Sequence, residues 1–370
     1  MQNRKWYEIE GTEQIITPSL LIYPDRIKKN IETMIAIAGD PKRLRPHIKT
    51  HKIAEIISLQ LSYGIQKFKC ATIAEAELLA DCGAQDILLA FQPVGPDIDR
   101  FFKLIDQYPN SQFSTLVDHL RIIHQIAEIA AQKKLIVDLW LDINNGMDRS
   151  GTPPNEQAIT LYEYIDKHPN LKARGLHVYD GHIHSSNKAE RTKQCDIAFA
   201  PVSQLEDKLT ASGSKVDTIV AGGTPTFPIH LKRSNVEVSP GTPLLWDQGY
   251  ANKYADLPFL RAAALLTRII SKPTANHICL DLGHKAVAAE MDFPRVELLD
   301  KKHCSQVKHS EEHLVIACKA SDKYAIGDLF YAVPTHICPT VIKYERVLTV
   351  NAGEIEGSWT IAARNYMTTI

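Results

Sequence analysis

The sequence predicts an α/β fold, with a (β/α)8 barrel over residues 24–250 and a mostly β domain over residues 251–370, to which residues 1–23 are added. Three observations carry this. From about residue 44 to residue 240, short β-rich runs alternate with runs of helical period, and parallel strands need such crossover helices. Eight strand candidates fall in that stretch, the number that closes a barrel of this kind. Beyond about residue 250 convincing long helices stop, and short apolar runs separated by turn residues take over. A doubly wound open sheet is the rival architecture. It calls for a GxGxxG turn after an early strand, and the sequence has none.

In chain order, the barrel strands are expected at 44–50, 68–72, 86–91, 112–117, 136–143, 173–179, 217–222 and 236–239. The clearest helix is 73–82, where Thr72 and Glu75 form a capping box and Gly83 supplies the stop. Asp118 is placed to cap a helix over 119–132, and another runs from about 155 to 168, ended by Pro169. A ninth strand candidate, 20–23, with a helix at 26–38 behind it, is assigned to the β domain and leaves eight strands for the barrel. In the β domain, strands are expected at 262–270, 277–282, 295–299, 314–318, 328–332 and 344–350.

Charge narrows the function. Lys and Arg number 42 against 43 Asp and Glu, so nothing points to nucleic acid or an anionic membrane as partner, and a small-molecule site or a protein partner stays open. No window approaches the ~18 consecutive apolar residues of a membrane span. The polar start MQNRKWYEIEGTEQ lacks the apolar core of a signal peptide. Seven scattered cysteines without a CxxC argue against a disulfide framework and for a reducing cytoplasm.

The most unusual segment is Leu44-Arg45-Pro46-His47-Ile48-Lys49-Thr50-His51-Lys52. As a strand it would put Arg45, His47, Lys49 and His51 on one face, which cannot pack against helices and must face the lumen or its C-terminal mouth. A lysine in a desolvated, cation-rich position has a lowered pKa and suits Schiff-base chemistry, which makes Lys49 a candidate nucleophile. The loops after the last two barrel strands, Gly222-Gly223-Thr224 and Pro240-Gly241-Thr242, have the glycines and hydroxyls of an anion cradle, and they follow the strands that carry the common phosphate site of such barrels. In Gly175-Leu176-His177-Val178-Tyr179-Asp180-Gly181-His182-Ile183-His184, Tyr179, His182 and His184 could orient a cofactor or move protons, while His177 reads better as a packed, hydrogen-bonded group. Arg149, in a glycine-flanked loop after a strand, is either an anion or phenolate ligand or an ordinary exposed arginine. In the β domain His336 and Cys338, two apart on one strand face, offer imidazole and thiolate, a mix that suits Zn²⁺.

Together these segments resemble the alanine racemase-like, fold type III family of pyridoxal phosphate enzymes, within it the D-threonine aldolase and D-serine dehydratase branch. The resemblance runs nearly end to end, from Thr17-Pro18-Ser19-Leu20 and Asn30-Ile31 through the Arg45–Lys52 segment, Gly146-Met147-Asp148-Arg149-Ser150-Gly151, the two glycine loops and His336-Ile337-Cys338. It implies pyridoxal 5'-phosphate joined to Lys49, with Arg149 at the phenolic oxygen, Tyr179 beside the cofactor, and Gly222, Gly223, Thr224, Gly241 and Thr242 around the phosphate. It also implies a divalent metal on His336 and Cys338, and a homodimer. Some aldolases of the branch pair the histidine with a carboxylate and use manganese, so the softer Cys338 favours zinc. The implied reaction is cleavage of a D-β-hydroxy-α-amino acid such as D-threonine to glycine and an aldehyde, with His182 or His184 as base. Dehydration of D-serine or D-threonine is the alternative, followed by racemisation and by a non-catalytic pyridoxal phosphate carrier. The last lacks a β domain, which argues against it here.

Overall fold

The computed structural model describes residues 4–367 and 369–370. It divides into two compact units, one holding residues up to Thr33, Thr50–Ile56 and Thr242–Arg364, the other Met34–Lys49, Ile57–Gly241 and Asn365–Ile370. The divide therefore differs from the expected 24–250 and 251–370. Local hydrogen bonds give the reason. The Asn30 amide on the first helix donates to the carbonyls of Leu244 and Leu260, and the Lys52 carbonyl accepts from Ala363 N–H, so both short segments are tied to the β unit. Among the described residues no helix is long and apolar enough to cross a membrane.

The chain opens with β1 (Ser19–Ile22) and α1 (Pro24–Ala38). After α2 (Ala54–Ser62) the alternating series begins: β2 (Lys67–Cys70), α3 (Ile73–Asp81), β3 (Asp86–Leu89), α4 (Pro96–Gln107), β4 (Gln112–Val117), α5 (Leu120–Lys133) and β5 (Val137–Ile143). It continues with α6 (Glu156–Lys167), β6 (Leu171–Val178), α7 (Lys188–Ala211), β7 (Ile219–Ala221), α8 (Phe227–His230) and β8 (Val236–Val238). The seven strands β2 to β8 pair in sequence order, all parallel.

The eighth stave differs from expectation. Residues 44–50 form no strand. Leu44 bridges Val238 of β8 and His47 bridges Lys69 of β2, so the segment joins the two ends of the sheet, and then Ile48–Thr50 winds into a 3-10 turn. Pro46 explains the break: it has no N–H to give a ladder, although its carbonyl accepts from Lys69 N–H. The turn also ends the alternation of faces. Arg45, His47 and Lys49 do not share a surface with His51, which is fully buried in the other unit with Nδ1 accepting from Ile53 N–H.

Inside the barrel unit, lumen positions step by two along each strand, as the pleat requires. Leu88, Leu116, Trp140 and Val220 form an apolar plug, and the Trp140 indole donates to Ser114 Oγ. To one side of that plug the fully buried Arg45 holds Asp86 at 2.7 and 3.0 Å and Glu237 at 2.8 Å. To the other lie Ala90, Asp118 and Asp142, each two residues beyond a plug residue.

Helix α3 starts as its capping box predicts: Thr72 accepts from Glu75 N–H and the Glu75 carboxylate accepts from Ala71 N–H. Asp118 does not cap α5. His119 does, through Nδ1, and the Asp118 carboxylate instead accepts from Gly151 N–H.

The β unit is one nine-stranded sheet. After α9 (Gln248–Lys253) come β9 (Ala263–Thr274), β10 (His277–Leu280), β11 (Val296–Leu298), β12 (Cys304–His309), β13 (Leu314–Cys318), β14 (Leu329–Pro334), α10 (Cys338–Val341), β15 (Arg346–Asn351) and β16 (Glu354–Thr360). Strand β1 lies between β9 and β15, which places 20–23 in this unit as expected. Strands β12 and β16, absent from the sequence reading, are the two ends of the sheet path, and their mostly polar, exposed residues explain why no hydrophobic pattern announced them. Tyr7, Leu21, Tyr23, Leu266, Val333 and Val350 lie in the core on one side of the sheet.

Candidate active site

A cavity of about 490 Å³ opens at the C-terminal ends of the barrel strands. Its lining includes His47 and Lys49 from the joining segment, Lys69 from β2, Asp118 after β4, Asp142 from β5, Arg149 and Ser150 from the following loop, and His177 and Tyr179 from the end of β6. The structure thus brings together Lys49, Arg149 and Tyr179, three of the residues singled out from the sequence. The Arg149 guanidinium lies 4.6 Å from the centre of the Tyr179 ring, Lys69 Nζ 5.6 Å and Lys49 Nζ 5.9 Å, so three basic side chains gather around one aromatic ring.

Sequence reasoning missed Lys69 and set His177 aside. In the structure Lys69 Nζ lies 2.7 Å from His177 Nε2, and His177 Nδ1 lies 2.6 Å from Asp142 Oδ1, all three side chains being buried. Ser150 Oγ donates to the other Asp142 oxygen. Burial, then the charges of Lys49, Arg149 and Arg45, lower the Lys69 amine to about 7, against the pull of Asp142. Burial and Lys69 lower His177 to about 4 despite Asp142. Burial opposes the Asp142 charge, but His177, Ser150 and Lys69 outweigh it and hold the carboxyl below its ordinary range. At neutral pH His177 is therefore neutral, with its proton on Nδ1 toward the carboxylate and Nε2 accepting from Lys69.

The glycine loops lie beside Tyr179. Gly222 has φ +76° and a Cβ there would lie 2.8 Å from His230 Cδ2, while a Cβ at Gly223 would lie 3.3 Å from Tyr179 Cε2. Gly241 N–H donates to Thr224 Oγ1, linking the two loops. A buried carboxylate fixes the first of them: Asp180 accepts from Thr226 Oγ1 and from His230 Nε2, and Thr226 Oγ1 accepts from Gly223 N–H. Burial raises Asp180, but His230 and Thr226 outweigh this and keep it below its ordinary range. Ser239 Oγ, next to this loop, is buried with no hydrogen-bond partner.

His182 and His184 are not part of the cavity lining. His182 is half-buried with its Nδ1 unpartnered, and its Nε2 lies 3.2 Å from where a Gly146 Cβ would stand; His184 is exposed.

In the β unit, His336 and Cys338 meet, but not on a strand face. Strand β14 ends at Pro334, Ile337 is helical, and Cys338 opens α10 ahead of Pro339. A turn, not a pleat, gathers them. Cys338 Sγ lies 3.3 Å from Thr50 Oγ1 and 4.0 Å from Thr242 Oγ1. Glu290 accepts from His336 Nδ1, the arrangement that leaves Nε2 to a metal. Burial lowers the proton affinity of His336, but Cys338, Glu290 and Asp247 outweigh it and lift the imidazole to about 9.

The fold and site define a class. Residues 22–247 match the alanine racemase N-terminal domain family, well over half of the chain, and the chain belongs to that family. Residues 262–350 match a serine dehydratase domain. Among individual proteins, the chain is 27% identical to the D-threonine aldolase of Arthrobacter sp over 360 residues, covering 95% of this chain and 94% of that protein. It is 24% identical to the D-serine dehydratase of Dictyostelium discoideum, covering 90% and 93%. The crystal structure of D-threonine aldolase from Filomicrobium marinum matches with a TM-score of 0.87 and 25% identity over 95% of both chains.

Proposed function

We propose that this chain is a pyridoxal phosphate- and divalent-metal-dependent lyase that cleaves a D-β-hydroxy-α-amino acid of the D-threonine type to glycine and an aldehyde. The observation that carries the proposal is the cavity in which Lys49 and Arg149 flank the Tyr179 ring beside the Gly222-Gly223 loop. The donor set fits the cofactor: an amine for its aldehyde, a guanidinium for its phenolate, an aromatic ring, and, for its phosphate, a glycine loop beside that ring together with the unpartnered Ser239 hydroxyl that precedes the Pro240-Gly241 loop. Pyridoxal phosphate, when bound, supplies an aldehyde for amines to condense with and a ring that stores the electron pair left on the α-carbon.

The chain's own residues do the rest. Lys49 presents its amine to the cavity from a 3-10 turn, so its backbone is fixed. Tyr179 is held against the glycine loop, because Asp180, the next residue, is locked to Thr226 and His230. Gly223, lacking a side chain, leaves room beside that ring. His336 and Cys338 are the residues that would hold a divalent ion, zinc before manganese because of the thiolate, and such an ion supplies Lewis acidity toward a hydroxyl. Neither histidine lines the cavity, and of the two His182, half-buried with Nδ1 unpartnered, is the one we assign to accept the hydroxyl proton. A homodimer in the cytoplasm goes with this reading.

Dehydration to a 2-oxo acid and ammonia is the second reading, favoured by the serine dehydratase match over 262–350. Product analysis with D-threonine separates the two. Acetaldehyde with glycine is the expected result, whereas 2-oxobutanoate with ammonia would replace the first reading by the second. Borohydride reduction of the cofactor-loaded protein followed by peptide mapping should label Lys49. A label on another lysine, with Lys49 clean, overturns the assignment.

A further inference from the structure

Lys69 lies within the cavity but has no part in the reading above. A lysine in the middle of a buried parallel strand is costly unless its charge is compensated or lost. Among the described residues no carboxylate forms an ion pair with it. Its close partner is a neutral imidazole, and the cations Lys49, Arg149 and Arg45 surround it. The charged and titratable groups facing it are His177 and Tyr179 from β6, Asp142 from β5, Arg149 from the loop after β5, and Arg45, His47 and Lys49 from the joining segment.

The hydrogen bonds orient the amine. Asp142 takes the Nδ1 proton of His177, so Nε2 is an acceptor and Lys69 must donate to it. One N–H is spent there, and what remains on nitrogen, one N–H and a lone pair in the neutral form or two N–H in the charged form, is left to the cavity that Lys69 lines. We propose that Lys69 is a charge-setting positioning residue for the cofactor: held by the Lys69–His177–Asp142 row, its amine gains or loses one proton inside the cavity, and the protonation state of the bound pyridoxal phosphate follows that charge. The step balances as an acid–base exchange, R–NH2 plus one proton giving R–NH3⁺. No bond to carbon forms, so Lys69 does not compete with Lys49. The inference rests on the cavity being the pyridoxal phosphate site.

Burial and the neighbouring cations bring the Lys69 amine to about 7, inside the range where the holoenzyme can be titrated. The test is the absorbance of the pyridoxal phosphate-loaded protein between about pH 5 and pH 9, with the cofactor dissociation constant measured at both ends. The wild-type spectrum should change with a midpoint near 7. Lys69→Met should abolish that transition. Lys69→Arg, which keeps the charge and cannot titrate in this range, should hold the spectrum in the acid form throughout, and it serves if the Met variant does not fold. Asp142→Asn, which disturbs the orientation of His177, should move the midpoint rather than remove it. A transition retained unchanged in Lys69→Met or Lys69→Arg, or a wild-type spectrum that does not vary across the range, overturns the inference. Borohydride labelling of Lys49 in the same samples keeps the two readings apart. A labelled Lys49 with a Lys69-independent spectrum sinks only this inference, whereas an unlabelled Lys49 sinks the cofactor reading beneath it.

Discussion

Arg45 opens the segment that carries Lys49, yet the structure makes it part of the barrel's framework, and Arg45→Met measures how much. The side chain is fully buried and holds Asp86 through both terminal nitrogens and Glu237 through Nε. Removing one partner of such a group leaves buried carboxylates behind, a loss of about 3–5 kcal/mol. Here Asp86 keeps Arg174 at 3.2 Å and Glu237 keeps Lys67, so the low end applies, about 3 kcal/mol. For a unit of this size that lowers the thermal midpoint by about 6–12 °C. Circular dichroism melts at neutral pH read the shift directly. The effect also has a pH signature. Burial raises the Asp86 carboxyl, but Arg45 and Arg174 outweigh it and hold it below its ordinary value. A carboxylate with a depressed folded-state pKa contributes stability above its unfolded value of about 4 and loses it as pH falls through the folded value, so the gap between wild type and variant should close in acid. A midpoint within about 2 °C of wild type at neutral pH, or a gap that persists unchanged in acid, would refute the reasoning.

Three further outcomes are expected. Gly223→Val should weaken pyridoxal phosphate binding about tenfold, because a Cβ there already stands 3.3 Å from Tyr179 Cε2, and equilibrium titration of the cofactor checks it. Exhaustive chelation should abolish turnover while leaving the borohydride label on Lys49 in place, and Cys338→Ala should do the same; full activity in either case would make His336 and Cys338 structural. Asp180→Asn should cost about 1–3 kcal/mol of stability and lower cofactor affinity with it, since an amide cannot accept from both Thr226 and His230, and a melt with a parallel titration reads both.

The barrel was legible because its strands are apolar runs set between helical repeats, and β2 to β8 fall where those runs lie. Lys49 was singled out from its cationic setting, and the structure places it in the cavity lining beside Tyr179. What the sequence concealed follows from geometry that pattern does not encode. The 3-10 turn at Ile48–Thr50 breaks the alternation that would have grouped Arg45, His47, Lys49 and His51. His336 and Cys338 fit strand spacing equally well as turn spacing, and only Pro334 and Pro339 hinted at the turn. Lys69 escaped notice because Lys67-Phe68-Lys69-Cys70 resembles an ordinary alternating strand. Its signal was a lysine on the lumen side of a strand buried on both faces, three places before a helix cap. His177 reads in the sequence as a packed, hydrogen-bonded group, and it is one; what the sequence could not show is that one of its partners, Lys69, lies 108 positions away.

The joining segment has a mechanical consequence. Elsewhere around the wall neighbouring strands pair along a ladder, with one register shift between β5 and β6; at this seam three backbone hydrogen bonds, from Arg45 to Val238, His47 to Pro240 and Lys69 to Pro46, do the same work. Amide protons at such a seam exchange with solvent through small local openings rather than by unfolding of the barrel. The barrel is thus closed like a clasp at the stretch that leads into Lys49, by two isolated bridges where the other seven staves have paired strands.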